Sequence, residues 1–158
     1  MRARASFKPV FHASLISTLG SEDLCDSMLP LAWKSLSSVD SNREYLALLS
    51  YLPLKSYLTI PKFLCFTFQT QRQLNGARGL IGYSLQAQLL RRRFWTLSVW
   101  QDESALMEFV KNRPHSEIMD ALAPHMKITH FTRWRVSGSE LPLKWGEAKR
   151  RMPQKSVV

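Results

Sequence analysis

The chain has 158 residues, 45% of them hydrophobic, which is enough for one domain with its own core. It carries 22 Lys and Arg against 12 Asp and Glu, a net charge of +10. No apolar run approaches the ~18–20 residues that cross a bilayer, and the two cysteines, Cys25 and Cys65, are too few and too far apart for a disulfide scaffold or a zinc set.

Free thiols in a reducing cytoplasm are the expectation. His12, His115, His125 and His130 show no tight ligand spacing. Residues 1–43 hold five basic and four acidic groups and read as a weakly ordered extension. Its start, MRARASFKPVFHASLISTLG, is free of acid until Glu22. A secretory signal is disfavoured because His12, Ser14 and Ser17 break the apolar centre. An organellar targeting segment fits somewhat better. A plain extension, or an effective start at Met28, is preferred to both. SLSSVDSNR (35–43) reads as a polar linker.

A folded domain is expected over 44–138. YLALLSYLPL (45–54) is a buried strand with Pro53 at its end. A helix follows, capped by Thr59, with Pro61 in its first turn and Asn75-Gly76 as its stop. Ile60, Phe63, Leu64 and Cys65 begin its apolar side, and Phe66 and Phe68 widen it. In GLIGYSLQAQLL (79–90), Tyr83, Leu85, Ala87 and Leu89 alternate with polar residues, which is strand periodicity. Arg91-Arg92-Arg93 makes the turn. This run reads as a solvated hairpin tip more readily than as a phosphate site.

FWTLSVW (94–100) returns as a strand. Trp95, Leu97 and Val99 share one face; Phe94, Thr96, Ser98 and Trp100 share the other. Asp102 caps the next helix, whose stripe is Leu106, Phe109 and Val110. Pro114 starts a second helical segment with His115, Ile118, Met119 and Leu122 at helical spacing. ITHFTRWRV (128–136) is the last strand. Residues 139–158 add a short basic helix after Pro142, and a tail.

The order strand, helix, strand, strand, helix, strand predicts an α+β, ferredoxin-like βαββαβ antiparallel sheet with helices on one face. The opposite face is apolar too. Large apolar sheet surfaces mark interaction sites, so a homodimer with two sheets face to face is expected.

The stretches LIGYSLQA, FWTLSVWQDESALMEFV, RPHSEIM and FTRWRVSGSELP resemble the dimeric α+β barrel superfamily. That superfamily includes antibiotic-biosynthesis monooxygenases, haem-degrading monooxygenases and spheroidene monooxygenases. The chain is most similar to uncharacterised bacterial proteins of the spheroidene-related group. The resemblance spans about 45–145. It implies a pocket between helices and sheet, with His115 as general base or haem ligand. It also implies that Tyr83, Trp100, Phe109, Met119 and Arg133 contact a substrate. The haem-degrading branch is matched less well. Phe109 stands where its catalytic tryptophan falls, and Met119 where its haem histidine falls.

Each of these residues also has a structural reading. His115 reads more readily as a polar residue bonding a helix end or loop. Trp95, Trp100 and Trp134 serve as core or interface bulk. The Tyr83 hydroxyl satisfies a buried carbonyl, and Arg133 and Arg135 serve as edge-strand charges. Three functions follow. The first is a monooxygenase-like oxidoreductase acting on a small apolar substrate, with haem as a possible cofactor. The second is a non-catalytic dimeric barrel that binds a hydrophobic ligand or a partner. The third, weaker one is a basic protein docking on nucleic acid or anionic lipid through Arg91–Arg93 and the tail; specific nucleic-acid recognition is not expected.

Overall fold

The computed structural model describes residues 29–152. The readings of the first 28 residues as extension, targeting segment or late start, and of Cys25 as a free thiol, lie outside them. Among the described residues Cys65 is free and exposed.

The strands are β1 (Leu29–Pro30), β2 (Lys34–Ser35), β3 (Glu44–Pro53), β4 (Leu80–Gln88), β5 (Arg93–Trp100) and β6 (His130–Ser137). The helices are α1 (Ile60–Leu74), α2 (Glu103–Lys111), α3 (His115–Leu122) and α4 (Trp145–Arg150). One antiparallel sheet runs β4-β5-β3-β6, with β1 and β2 both paired to the outer side of β4. This is the expected split βαββαβ order, extended at one edge. β3 opens at Glu44. The residues just before it are tied to the same sheet: Ser37 Oγ donates to the Leu80 carbonyl, and the Asp40 amide donates to the Tyr45 hydroxyl.

Local chemistry sets the element ends. The Asp102 carboxylate accepts from the Ala105 amide at 2.9 Å and caps α2 as expected. α1 differs. Thr59 is buried in the last position of a 3-10 turn and makes no side-chain cap bond; the Ser56 hydroxyl accepts from the Leu58 amide instead. Its inward stripe is also narrower than its sequence implies. Ile60, Phe63 and Phe66 pack inward, whereas Leu64, Cys65 and Phe68 face outward. Gly79 holds a φ of +74°, and a Cβ there would lie 2.6 Å from Ala105 Cβ, so the entry to β4 requires glycine.

Strand alternation divides the core between two faces. The helix side holds two clusters. One, near the β4–β5 hairpin, gathers Phe63, Phe94, Ile118, Leu122 and Met126. The other, at the far end, gathers Leu74, Tyr83, Trp100, Leu106 and Phe109. The second face carries Tyr45, Ala47, Leu49, Trp95, Leu97 and Val99. It is apolar, as the sequence implies, but it is not left open.

Trp33, Leu141, Leu143, Trp145, Ala148 and Met152 of the same chain lie on it. The Trp145 indole donates to Ser84 Oγ at 3.0 Å, and Lys149 Nζ sits 4.2 Å from the Trp95 ring centre. This corrects the premise for face-to-face pairing: the surface that asked for a second copy is occupied by residues 139–152. Ala148, 1% exposed between Leu49, Trp95 and Leu97, is the closest-fitted point of that cover. Ala148→Leu is expected to overpack it and cost about 1–3 kcal/mol, read as a lower urea midpoint. An unchanged midpoint would mean that α4 does not seat on the sheet.

Candidate functional site

The two helix-side clusters do not merge, and the sheet explains why. Along β3 the inward positions run Leu46, Leu48, Ser50, Leu52; along β5 they run Phe94, Thr96, Ser98, Trp100. Ser50 pairs with Thr96, and Leu48 with Ser98. Short hydroxyl side chains therefore form the mid-sheet floor, where long apolar ones would fill the space. Above them lies a cavity of about 340 Å³. That is near the small end of the ~300–1,000 Å³ typical of ligand sites. Phe63, Phe66 and Thr67 of α1 close one side, and Val110, His115 and Met119 of α2 and α3 another. Of the lining residues only Phe131 and Arg133 are exposed, and both belong to the edge strand β6. The cavity opens there.

The structure brings all six candidate residues to this cavity: Tyr83, Trp100, Phe109, His115, Met119 and Arg133. Their polar groups are committed to different degrees. The Trp100 indole donates to Ser98 Oγ at 3.0 Å, entirely within the core. The Tyr83 hydroxyl donates to Asn75 Oδ1 at 3.4 Å, and burial raises its pKa, so it stays a neutral phenol. Arg133 pairs with Glu103 at 2.8 Å at the cavity mouth, while Arg135 approaches Glu44 at 3.8 Å. Such exposed pairs contribute ~0–1 kcal/mol. Trp95 and Trp134 belong to the opposite face and do not line the cavity.

His115 is half-buried at the start of α3, its ring centre 4.7 Å from that of Phe109. Nδ1 lies 3.3 Å from the Val110 carbonyl. A carbonyl only accepts, so Nδ1 carries the proton and Nε2 keeps its lone pair. Burial lowers the pKa below the ordinary 6.5, against a smaller opposing effect of the Val110 bond. The imidazole is therefore neutral at pH 7. Because the unfolded chain protonates first, this residue costs stability as pH falls below 6.5. The neighbouring acids do not reach it: Glu117 pairs with Arg113 at 2.9 Å, and Asp120 is exposed.

The sequence gives no hint of the group that holds this arrangement. Gln73, one residue from the end of α1, spans the break between α2 and α3. Its amide nitrogen donates to the Phe109 and Asn112 carbonyls at 3.2 and 3.4 Å. Its amide oxygen accepts from the His115 backbone N–H at 3.0 Å. Ser50, Thr96 and Ser98 were also passed over, although hydroxyls at alternate inward positions of two adjacent strands were the available signal.

No family model matches the chain, and no curated protein matches it. Solved structures do. A protein from Nitrosomonas europaea described as an antibiotic biosynthesis monooxygenase is 13% identical, with 56% of this chain and 95% of that one covered and a TM-score of 0.51. The chain has the α+β barrel fold of the antibiotic-biosynthesis monooxygenases. A variant of SnoaB, a cofactor-independent oxygenase from Streptomyces nogalater, is 12% identical over 62% of this chain and 97% of its own, with a TM-score of 0.51. LmHde, a heme-degrading enzyme from Listeria monocytogenes, is 17% identical over 67% and 68%, with a TM-score of 0.53. Two longer chains, from Fusobacterium nucleatum and Lactobacillus acidophilus, are spanned over 46% and 49% of their length. Identities this low carry the fold and no chemistry.

Gln73→Leu removes three hydrogen bonds at the α2–α3 break. The expected loss is about 1–3 kcal/mol in urea unfolding, with the His115 ring resonances shifted and broadened in NMR spectra. Ring resonances that stay in place would show that Val110 alone holds the imidazole.

Proposed function

We propose that this protein is a monooxygenase-like enzyme that holds one small, largely apolar substrate in the helix–sheet cavity, with His115 as its polar handle and base. The observation that carries this is the imidazole itself: neutral, oriented by Val110 through Nδ1, and with no hydrogen bond to Nε2 among the described residues. A neutral imidazole with its Nε2 lone pair available suits proton removal from an acidic O–H or C–H. Nε2 takes that proton, and the anion left behind gives its electrons to dioxygen: a substrate CH2 group becomes a carbonyl with one oxygen atom and the other leaves as water, so the substrate itself is the reductant. The floor of Ser50, Thr96 and Ser98 supplies hydroxyls for one oxygen-bearing end of the substrate. The aromatic walls exclude water and fit a flat apolar body.

Haem is the second reading, favoured by the same Nε2. The donor chemistry fits, because metal-bound histidines usually donate their other ring N–H to a carbonyl or carboxylate. His115 would hold the iron through Nε2, and Arg133, released from Glu103, would hold a propionate. Bound haem would supply oxygen activation. SnoaB and LmHde share the fold and differ in just this respect, so fold alone does not choose between the readings.

Oxygen uptake with phenolic and polycyclic aromatic probes, with a parallel haem titration by absorbance, tests both readings. Under the first, uptake proceeds without haem, and kcat/KM falls ~10²–10⁴-fold in His115→Gln. Its acid limb has a midpoint below 6.5. Under the second, a Soret band forms and is lost in His115→Ala. Saturable probe binding with neither uptake nor a Soret band would leave a non-catalytic carrier.

A further inference from the structure

Basic groups and exposed apolar side chains share one end of the molecule, where β3, β4 and β5 meet at Pro53, Gln88 and Arg93. Three segments build that end: 53–59, 88–93 and 123–130. They are bonded into one surface. The Leu54 amide donates to the Arg92 carbonyl, Lys55 to His125, and Lys127 to Pro53, each at 2.9 Å. The Tyr57 hydroxyl donates to the Leu90 carbonyl at 2.5 Å, and the Arg92 guanidinium stacks 4.5 Å over the Tyr57 ring while bonding the Lys55 carbonyl.

None of the three segments contains an Asp or Glu; their cations are Lys55, Arg91, Arg92, Arg93 and Lys127. The nearest acid in sequence is Asp120, three residues before the last segment. Among these cations stand aliphatic side chains with nothing packed on them. Leu58 is 91% exposed, Ile128 69% and Leu90 58%. Apolar residues so exposed cost solubility, and here they share a surface with a one-signed charge.

We propose that this end docks on an anionic lipid surface. Leu58, Leu90 and Ile128 enter the headgroup region, and Arg91, Arg93 and Lys127 meet lipid phosphates, while the Lys55 ammonium, which donates to the Pro124 carbonyl at 2.8 Å, adds its charge to the surface. Both halves of the pattern are needed: basic groups give attraction to anionic lipid, and apolar side chains give the burial that holds a peripheral protein there. Nucleic acid fits less well. A phosphodiester backbone rewards the cations but offers nothing to exposed leucine and isoleucine, and two of the three rings at this end are already engaged, Tyr57 under Arg92 and His130 on Tyr51. Arg92 serves the fold rather than the lipid, since its stack and its carbonyl bond lock the hairpin to the β3–α1 turn.

The test is co-sedimentation of the full chain with phosphatidylcholine vesicles, with and without phosphatidylserine, and gel filtration and RNA binding alongside. Binding is expected on the anionic vesicles only. Arg93→Gln should weaken it about fivefold, the effect of one basic group near such a surface. Leu58→Ser with Leu90→Ser should weaken it further while the circular dichroism spectrum stays unchanged. The proposal is overturned if phosphatidylserine vesicles bind no protein. It is equally overturned if the leucine changes leave vesicle binding intact, which would mark a generic polyanion site, or if RNA is bound as tightly. A dimer in gel filtration that dissociates in the leucine variant would assign the patch to a second copy and also refute it.

Discussion

The structure depends on a conflict between packing and side-chain size at the middle of the sheet. Ser50, Thr96 and Ser98 occupy inward positions where leucine or phenylalanine would join the two helix-side clusters into one core. Protein interiors pack to the density of organic crystals, so short side chains beneath three helices leave real space. Filling that space would stabilise the domain; each fully buried leucine is worth roughly 1.5–3 kcal/mol. A fold that keeps the space and lines it with aromatic rings and one neutral imidazole forgoes stability at the cavity proposed to take the substrate.

The second ingredient is a break in a helix. Pro114 separates α2 from α3, and a break leaves amides and carbonyls without intrahelical partners. Gln73 satisfies three of them from the neighbouring helix. The Val110 carbonyl at the end of α2 is then available to the His115 ring. The same interruption that shortens the helix thus positions the imidazole and fixes its tautomer.

Much of this was legible in the sequence. Alternation along 94–100 assigned both faces of β5 correctly, because period-two patterning depends only on the pleat. Asp102, Pro114 and Asn75 marked helix ends through local chemistry that acts over a few residues. The six residues offered as site candidates all reach one cavity, although line-up on a wall is not a role. What stayed hidden acts at long range. Gln73 lies more than thirty residues from the carbonyls it bonds, and nothing in its own helix distinguishes it. The Thr59 cap failed because a 3-10 turn took up the residues before the helix. The cover over the second face was missed for a simpler cause. The short helix after Pro142 was recognised, but its landing place on Trp95 and Leu97 depends on the sheet being assembled first.

That cover has a consequence for how the domain responds to dilution. A sheet shielded by a second molecule loses its shield as the concentration drops, since association follows mass action. Here the shield is tethered by the short run from β6 to α4, and its local concentration is set by chain length rather than by expression level. Closing this face is a first-order event, and any partner seeking it must first evict Trp145 and Ala148.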